Sequence, residues 1–390
     1  MRTVLAALAS AVAAALIALG IAHWSGWFDG KGRIVVVPEA VPASTVAAPV
    51  RATKPVLGNG FDPSALYTAR SPGVVTIYAE FGTSESQGSG FAVTRTGLIL
   101  TSSHVITDAG SQTPGSRVTA ASKVYVEFAD RDRLPARIVG WDVFDDVGVI
   151  KVDPKVHPVQ PVPLGRSSAV RVGQPVAVIG SPFGNENSLD VGVVSGIRRS
   201  IDSLTSTFRL ADAIQIDAPI THGNSGGPVF DATGRVIGIA AQIRTDTGQA
   251  EGIGFAVPID SARRSLTQLV TTGKVAYAFA GIRTVDLTPT LARKLGLDVL
   301  RGALIVKVEA GTGAARAGLR QGSGQRVVNG VTVRTGGDVI LAIAGRPAQT
   351  GEDVARVVGQ ELRPGQTVTF TVLRHGKRLN VGVRLGARKP

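Results

Sequence analysis

The sequence predicts a mostly β protein: barrels or a sandwich of short strands, followed by a smaller domain of mixed strands and helices. Three observations predict it. Between residues 64 and 258, short runs rich in Val and Ile are split by Gly, Pro, Asn and Asp, the pattern of many short strands joined by turns. No alternation of strand and helix patterns appears there, which removes a doubly wound parallel sheet. The 390 residues, 48 of them Gly, are enough for two or three cores and for the turns that such strands need.

Taken in order, residues 1–28 read as a membrane-spanning anchor or an export signal. Arg2 precedes Val4 to Ala22, 19 residues without a charge, close to the ~20 that a helix needs to cross a bilayer. Trp24, Trp27 and Phe28 follow, as in an interfacial aromatic belt. The run is longer than the apolar region of a cleaved signal peptide, which favours a retained anchor; cleavage after Ala22 and secretion is the alternative. Both expectations place the remainder outside the cytoplasm. Residues 29–63 carry Pro38, Pro42, Pro49 and Pro55 among Ala, Val and Gly and read as an extended tether.

Residues 64–274 form the first expected domain. Its strand-type runs are Val74 to Tyr78, Gly90 to Val93, Leu98 to Leu100, Lys123 to Phe128, Val147 to Val152, Val176 to Ile179, Val191 to Val194, Ala213 to Ile216, Arg235 to Ile239 and Ile253 to Val257. Pro228 to Gly234, leading into another strand, reads as a hairpin. Ile259, Ala262, Leu266, Leu269 and Val270 then follow helical spacing, with Gly273 as the C-terminal stop. Residues 275–390 form the second domain.

The net charge is +13, and residues 281–390 hold 18 Lys/Arg against 7 Asp/Glu. The Arg residues stand singly among apolar strands, as on a solvated face, so nucleic-acid binding is not expected. There are no cysteines, which excludes disulfides, thiolate nucleophiles and Cys-based metal sites. No metal cluster, P-loop or dinucleotide fingerprint is present, and no cofactor is expected.

The strongest chemical signal is Gly223-Asn224-Ser225-Gly226-Gly227. Serine needs a base to take its proton and donors for the oxyanion. Glycines let successive backbone amides point into one space, and the N–H groups of Gly223 and Ser225 are the expected donors, with Asn224 between them. The G-x-S-x-G spacing also fits the nucleophile elbow of α/β-hydrolases, but that elbow runs from strand into helix, and here a hairpin follows. Of the five histidines, His23 lies at the membrane edge, His157 in a Pro-flanked turn and His375 in a solvated hairpin turn. His222 is too near Ser225 along the chain to serve as its base. His104, after the strand Leu98 to Ser102, is left. An acid between them is required: Asp142, Asp145, Asp146, Asp153, Asp190, Asp202, Asp212 and Asp217 qualify by position. Asp146 opens an apolar strand and would need a buried partner such as an imidazole, while Asp145 is not excluded by this chemistry.

These residues resemble the trypsin-like serine proteases, specifically the HtrA/Deg family of PDZ-bearing proteases, over residues 64–390. The motifs are Gly88 to Phe91, Thr101-Ser-Ser-His-Val105, Asp146-Val-Gly-Val-Ile150, Ile179 to Gly184, Gly223 to Gly227 and Gly252 to Pro258. The resemblance implies two perpendicular β-barrels with a triad of His104, Asp146 and Ser225 between them, and it favours Asp146 over Asp145. It implies endopeptidase chemistry through an acyl-enzyme, on misfolded or signalling proteins. A primary pocket near Ile220, Ala240 and Phe255 would select small or medium aliphatic residues. The spacing from His104 to Asp146 is longer than usual, with residues 108–123 as the insertion.

The second domain is similar to the circularly permuted PDZ domain of that family. Phe279-Ala280-Gly281-Ile282 stands where the loop that binds a peptide carboxylate would be, with a peptide adding a strand to the sheet. Residues 321–335 read as an inserted hairpin able to alter the groove. The family also implies a homotrimer, with Phe61 and Tyr67 at its contact. The competing expectation is an inactive protease fold acting as a tethered scaffold or chaperone; hydrolysis of small esters is a third.

Overall fold

The computed structural model describes residues 60–113, 115–181, 187–221, 223–241, 253–328 and 331–388. The apolar run Val4 to Ala22, the tether up to residue 59 and His222 lie outside the described residues. Among the described residues, no helix is long and apolar enough to cross a membrane.

Asp62 caps a short helix, α1 (Pro63–Arg70), that leads into the first barrel. Its strands are β1 (Val74–Phe81), β2 (Ser84–Ala92), β3 (Leu98–Thr101), β4 (Lys123–Glu127), β5 (Arg133–Asp142) and β6 (Val147–Lys151), closed in the order β1-β2-β3-β6-β5-β4. The second barrel holds β7 (Pro175–Gly180), β8 (Ser188–Ile201), β9 (Leu210–Ile216), β10 (Pro228–Asp231), β11 (Val236–Ala241) and β12 (Gly254–Pro258), closed as β10-β11-β12-β9-β8-β7. Two antiparallel barrels resolve the choice between barrels and a sandwich, because closure leaves no free sheet edge.

The apolar runs are continuous because many strands are buried on both faces. Ile99 and Ile150 point into the first barrel, and Val178 and Val229 into the second. Their neighbours Leu100, Val149, Ile179 and Phe230 face outward into one cluster shared by both barrels. Side chains alternate along a strand, so a strand with a core on each side is apolar at every position. Strand β5 was not expected: its sequence Arg-Leu-Pro-Ala-Arg alternates exposed and covered residues and carries Pro135.

The expected helix is present as α3 (Ile259–Thr272), with Gly273 left-handed at φ 71 as its cap; α2 is the one-turn helix Ser103–Ile106 after β3. Ile259, Ala262 and Leu269 join the shared cluster and Leu266 packs against it. Val270, expected on the same face, is exposed instead, because the covered face is centred on Ala262, Ser265 and Leu269 and the step from Leu269 to Val270 turns the helix by about 100° away from it.

The second domain contains β13 (Ala278–Phe279), β14 (Ile282–Leu287), β15 (Gly302–Val308), β18 (Val339–Ile343), β20 (Thr367–Arg374) and β21 (Lys377–Arg384), with the sheet running β14-β15-β18-β20-β21 and β19 (Arg346–Pro347) on β18. The strand β22 (Gly386–Ala387) returns to pair with β13. Helices α4 (Pro289–Leu295), α5 (Gly313–Arg316) and α6 (Gly351–Arg356) complete it, the last opened by a capping box of Thr350 and Asp353. The expected hairpin is present as β16 (Gly324–Val328) and β17 (Val331–Thr335). Its Val328 and Val333 pack on Leu287 and Leu291, so it covers α4 rather than entering the groove between β14 and α6. His375 sits in the tight turn between β20 and β21 at φ 48, as a two-residue hairpin loop requires. Phe61 and Tyr67 lie half-buried against the shared barrel cluster.

Candidate active site

His104 stands in α2, directly after β3. Its Nδ1 lies 2.7 Å from Asp146 Oδ2. The other carboxylate oxygen accepts from Ser103 Oγ at 2.7 Å and from the His104 amide at 3.0 Å. Asp146 ends the turn between β5 and β6 at φ 52, a conformation disfavoured for a residue with a side chain and held here by those three donors. Burial pulls the His104 pKa down, but the Asp146 charge and hydrogen bond outweigh it and raise the pKa above its ordinary 6.5. Burial pushes Asp146 up, and the imidazole and the hydrogen bonds from Ser103 and His104 outweigh it, holding the carboxyl below 3.8.

The neighbouring acids face elsewhere. Asp145 pairs with Arg264 of α3 at 2.7 Å. Asp142 accepts from the Phe144 amide, from Ser265 Oγ and from Tyr277 Oη. Burial and the adjacent Asp145 push Asp142 up to about 6, against the pull of those donors. Asp190 accepts from Asn224 Nδ2 at 3.0 Å, Asp202 pairs with Arg209, and Asp217 accepts from the Val193 amide. His157 pairs with Asp130 and stacks on Phe128.

The loop from Gly223 to Gly227 comes to the same region. A Cβ placed on Gly88 would lie 2.5 Å from Val105 Cγ2 and 3.1 Å from the Ser225 carbonyl oxygen, so the residue after His104 and the serine carbonyl flank one glycine. Gly226, at φ +86, would drive a Cβ to within 2.2 Å of the Ser89 carbonyl oxygen. Here glycine is required both by conformation and by contact of backbone on backbone. Ser225 is buried, and its Oγ has no hydrogen-bond partner among the described residues. The side chains of Ser103 and Ser89 take part in this region although neither was singled out in the sequence. The order Ser-Ser-His gave a signal for the first, and Gly-Ser-Gly for the second.

Ile220 and Phe255 are nearly closed to solvent and Ala240 is wholly so. A Cβ on Gly254 would meet Ile220 Cγ1 at 2.7 Å, which places Ile220 against β12. The cavities of 430 to 510 Å³ lie elsewhere and are not lined by His104, Asp146 or Ser225. Residues 242–252, beside this site in sequence, lie outside the described residues.

In the second domain, residues 279–282 line a cavity of about 480 Å³ with Val354 of α6 and Val358 just after it. The strand β14 pairs with β15 on one side, and its other edge has no partner strand among the described residues. Gly281, at φ +83, would place a Cβ 2.3 Å from Thr312. Thr207, Phe208 and Arg209 of the first domain border the same cavity.

Residues 88–239 match the trypsin-like peptidase domain, and residues 278–385 match the PDZ domain. A solved structure described as the HtrA-type protease AlgW with tripeptide is 32% identical, with a TM-score of 0.69 over 84% of this chain and 98% of that one. The chain belongs to the HtrA/Deg family. A probable periplasmic serine endoprotease, DegP-like, of Pseudomonas fluorescens is 37% identical over 303 residues, 78% of this chain and 56% of the relative. Protease Do-like 1, chloroplastic, of Arabidopsis thaliana is 34% identical over 305 residues, 77% of this chain and 64% of the relative. The chain thus spans little more than half the length of the first of these HtrA/Deg relatives. Its double barrel followed by a PDZ domain is the architecture that the family resemblance implied.

Proposed function

We propose that the chain is a serine endopeptidase in which Ser225 attacks the peptide carbonyl, His104 takes and returns the proton, and Asp146 orients the imidazole. The observation that carries this is the Asp146 carboxylate on His104 Nδ1, together with a buried serine whose hydroxyl has no hydrogen-bond partner among the described residues. With Nδ1–H held by Asp146, Nε2 is the basic nitrogen. Ser225 Oγ adds to the carbonyl carbon as its proton passes to Nε2, and the amides of Gly223 and Ser225 stabilise the oxyanion. The imidazolium returns the proton to the leaving amine, and water then releases the acyl group by the reverse sequence. We assign this chemistry to residues 64–274 and the binding of peptide C-termini at Phe279, Ala280, Gly281 and Ile282 to a PDZ domain at 275–390. The periplasmic naming of the Pseudomonas relatives and the uncharged run Val4 to Ala22 support an extracytoplasmic, membrane-anchored location. A homotrimer with Phe61 and Tyr67 at its contact belongs to the same reading.

A fluorophosphonate probe tests it. Labelling at Ser225, lost in His104→Ala, is the expected result. No labelling with or without peptides offered to the PDZ groove would favour the scaffold reading instead.

Two further outcomes are expected. The base acts only when neutral, so kcat/KM should rise with pH through a midpoint above 6.5, the direction in which Asp146 moves His104. A pH–rate profile with a midpoint below 6.5 would contradict the pairing. The primary pocket is assigned to Ile220, Ala240 and Phe255, all apolar. Ile220→Asp should shift cleavage from small aliphatic residues towards Lys and Arg by roughly tenfold or more in relative kcat/KM. A peptide-library profile unchanged by the substitution would remove Ile220 from the pocket.

A further inference from the structure

Ser89 lies in β2 of the first barrel, between Gly88 and Gly90, and is fully buried. Its backbone amide donates to the Ser225 carbonyl at 2.8 Å. Its hydroxyl lies 2.6 Å from the Gly223 carbonyl oxygen. The same hydroxyl accepts from the Ser181 amide at 3.0 Å, which leaves its proton for Gly223. The Ser89 carbonyl accepts from Thr101 Oγ1 at 2.7 Å. One residue of the first barrel therefore grips a loop of the second at two points, on either side of Asn224.

The grip acts on peptide planes. In the plane joining Gly223 to Asn224, Ser89 holds the carbonyl, and the Asn224 amide donates to Thr221 O at 3.1 Å. In the plane joining Ser225 to Gly226, Ser89 holds the carbonyl, and the Gly226 amide donates to Ala240 O at 2.8 Å. Between them, the Asn224 carbonyl accepts from the Gly227 amide at 3.0 Å, so the Ser225 N–H in that plane points the opposite way. A trans peptide with both polar ends held cannot rotate without breaking a hydrogen bond. The glycines beside Ser89 serve the same approach: a Cβ on Gly226 or Gly88 would collide with this contact, and one on Gly180 would lie 3.1 Å from Ser89 Oγ.

We infer that Ser89 is a positioning residue for the oxyanion: its hydroxyl fixes the peptide plane between Gly223 and Asn224, and so the torsions at the two ends of that plane, on which the directions of the flanking Gly223 and Ser225 amides depend. This rests on the proposed peptidase reading. Donors aimed in advance at the developing charge are worth more than donors that must reorient during the reaction. Removing the hydroxyl leaves the nucleophile and its base in place but frees the plane that carries the Gly223 carbonyl.

The test uses the full chain with Ser89→Ala and Ser89→Gly, both of which keep the backbone grip on Ser225. Thr76→Val serves as a control, because it removes a buried hydroxyl bonded to Ser181 Oγ without touching the loop. Sites are counted by fluorophosphonate titration, and kcat is expressed per titrated site. The expected result is a fall in kcat on the order of 10- to 100-fold with KM within about threefold. A peptide aldehyde, whose hemiacetal oxygen occupies the same hole, should lose affinity by the same factor as kcat, while Thr76→Val alters thermal stability alone. If Ser89→Ala and Ser89→Gly reduce only the number of titrated sites, with kcat per site within twofold, the residue is structural and the inference is overturned. A parent protein that neither labels nor cleaves would overturn the peptidase reading as well.

Discussion

Asp146→Asn is expected to lower kcat by on the order of 10⁴-fold while leaving the fold intact. The reason lies in which oxygen is held. Ser103 Oγ and the His104 amide both donate to Oδ1, so an asparagine will present its carbonyl oxygen there. Its amide nitrogen must then face His104 Nδ1 and donate to it. That forces the proton of the neutral imidazole onto Nε2, the nitrogen that has to accept the proton of Ser225. A loss of this size is about 5 kcal/mol of transition-state stabilisation. Ser225→Ala should reach at least the same loss, with no change in melting temperature, since its hydroxyl has no hydrogen-bond partner among the described residues. Steady-state kinetics on a peptide substrate, with calorimetry on the same samples, checks both. A rate loss under tenfold in Asp146→Asn would mean that the acid is not required in this site.

The largest effect on stability is expected at Asp338 of the PDZ domain. It is fully buried. Its two oxygens accept from Arg374 Nε and Nη2, each at 2.7 Å, and from the Arg320 amide at 2.8 Å. Arg374 in turn donates to the Gly318 carbonyl. The carboxylate therefore joins the turn after α5 to β20 through the residue before β18. Asp338→Ala leaves a largely covered guanidinium and a backbone amide unpaired, at a cost of about 3–5 kcal/mol, a large part of a domain's whole stability. Loss of hydrogen-exchange protection in β18 and β20, with the PDZ transition lowered by roughly 10 °C or more, is the expected outcome. Adding Arg374→Met should restore much of it, because removing both charges is far less costly than orphaning one. A single variant that melts within about 2 °C of the parent would contradict this.

Several features were legible in the sequence because they are local. Short runs rich in Val and Ile between turn residues marked most strands of the barrels, helical spacing and Gly273 marked α3, and Gly223 to Gly227 marked a loop where backbone must approach backbone. The strand β5 was not legible, since Pro135 and two arginines hide a strand whose covered face is intermittent. Val270 was misplaced because a helical stripe read from spacing has no partner to say where it ends. The choice between Asp145 and Asp146 was open on chemistry alone, and the family resemblance favoured the second.

By itself the sequence determined the class of fold, the order His, Asp, Ser and the residue types that the chemistry needs. Only the tertiary structure decided which groups meet. Adjacent carboxylates at 145 and 146 are directed to Arg264 and to His104 by a turn whose last residue has φ 52. The two hydrogen bonds from Ser89 join residues more than 130 positions apart. Local periodicity follows from backbone geometry, which each short segment carries with it. Pairing between distant side chains depends on how the barrels close and pack, and no short stretch of sequence holds that information.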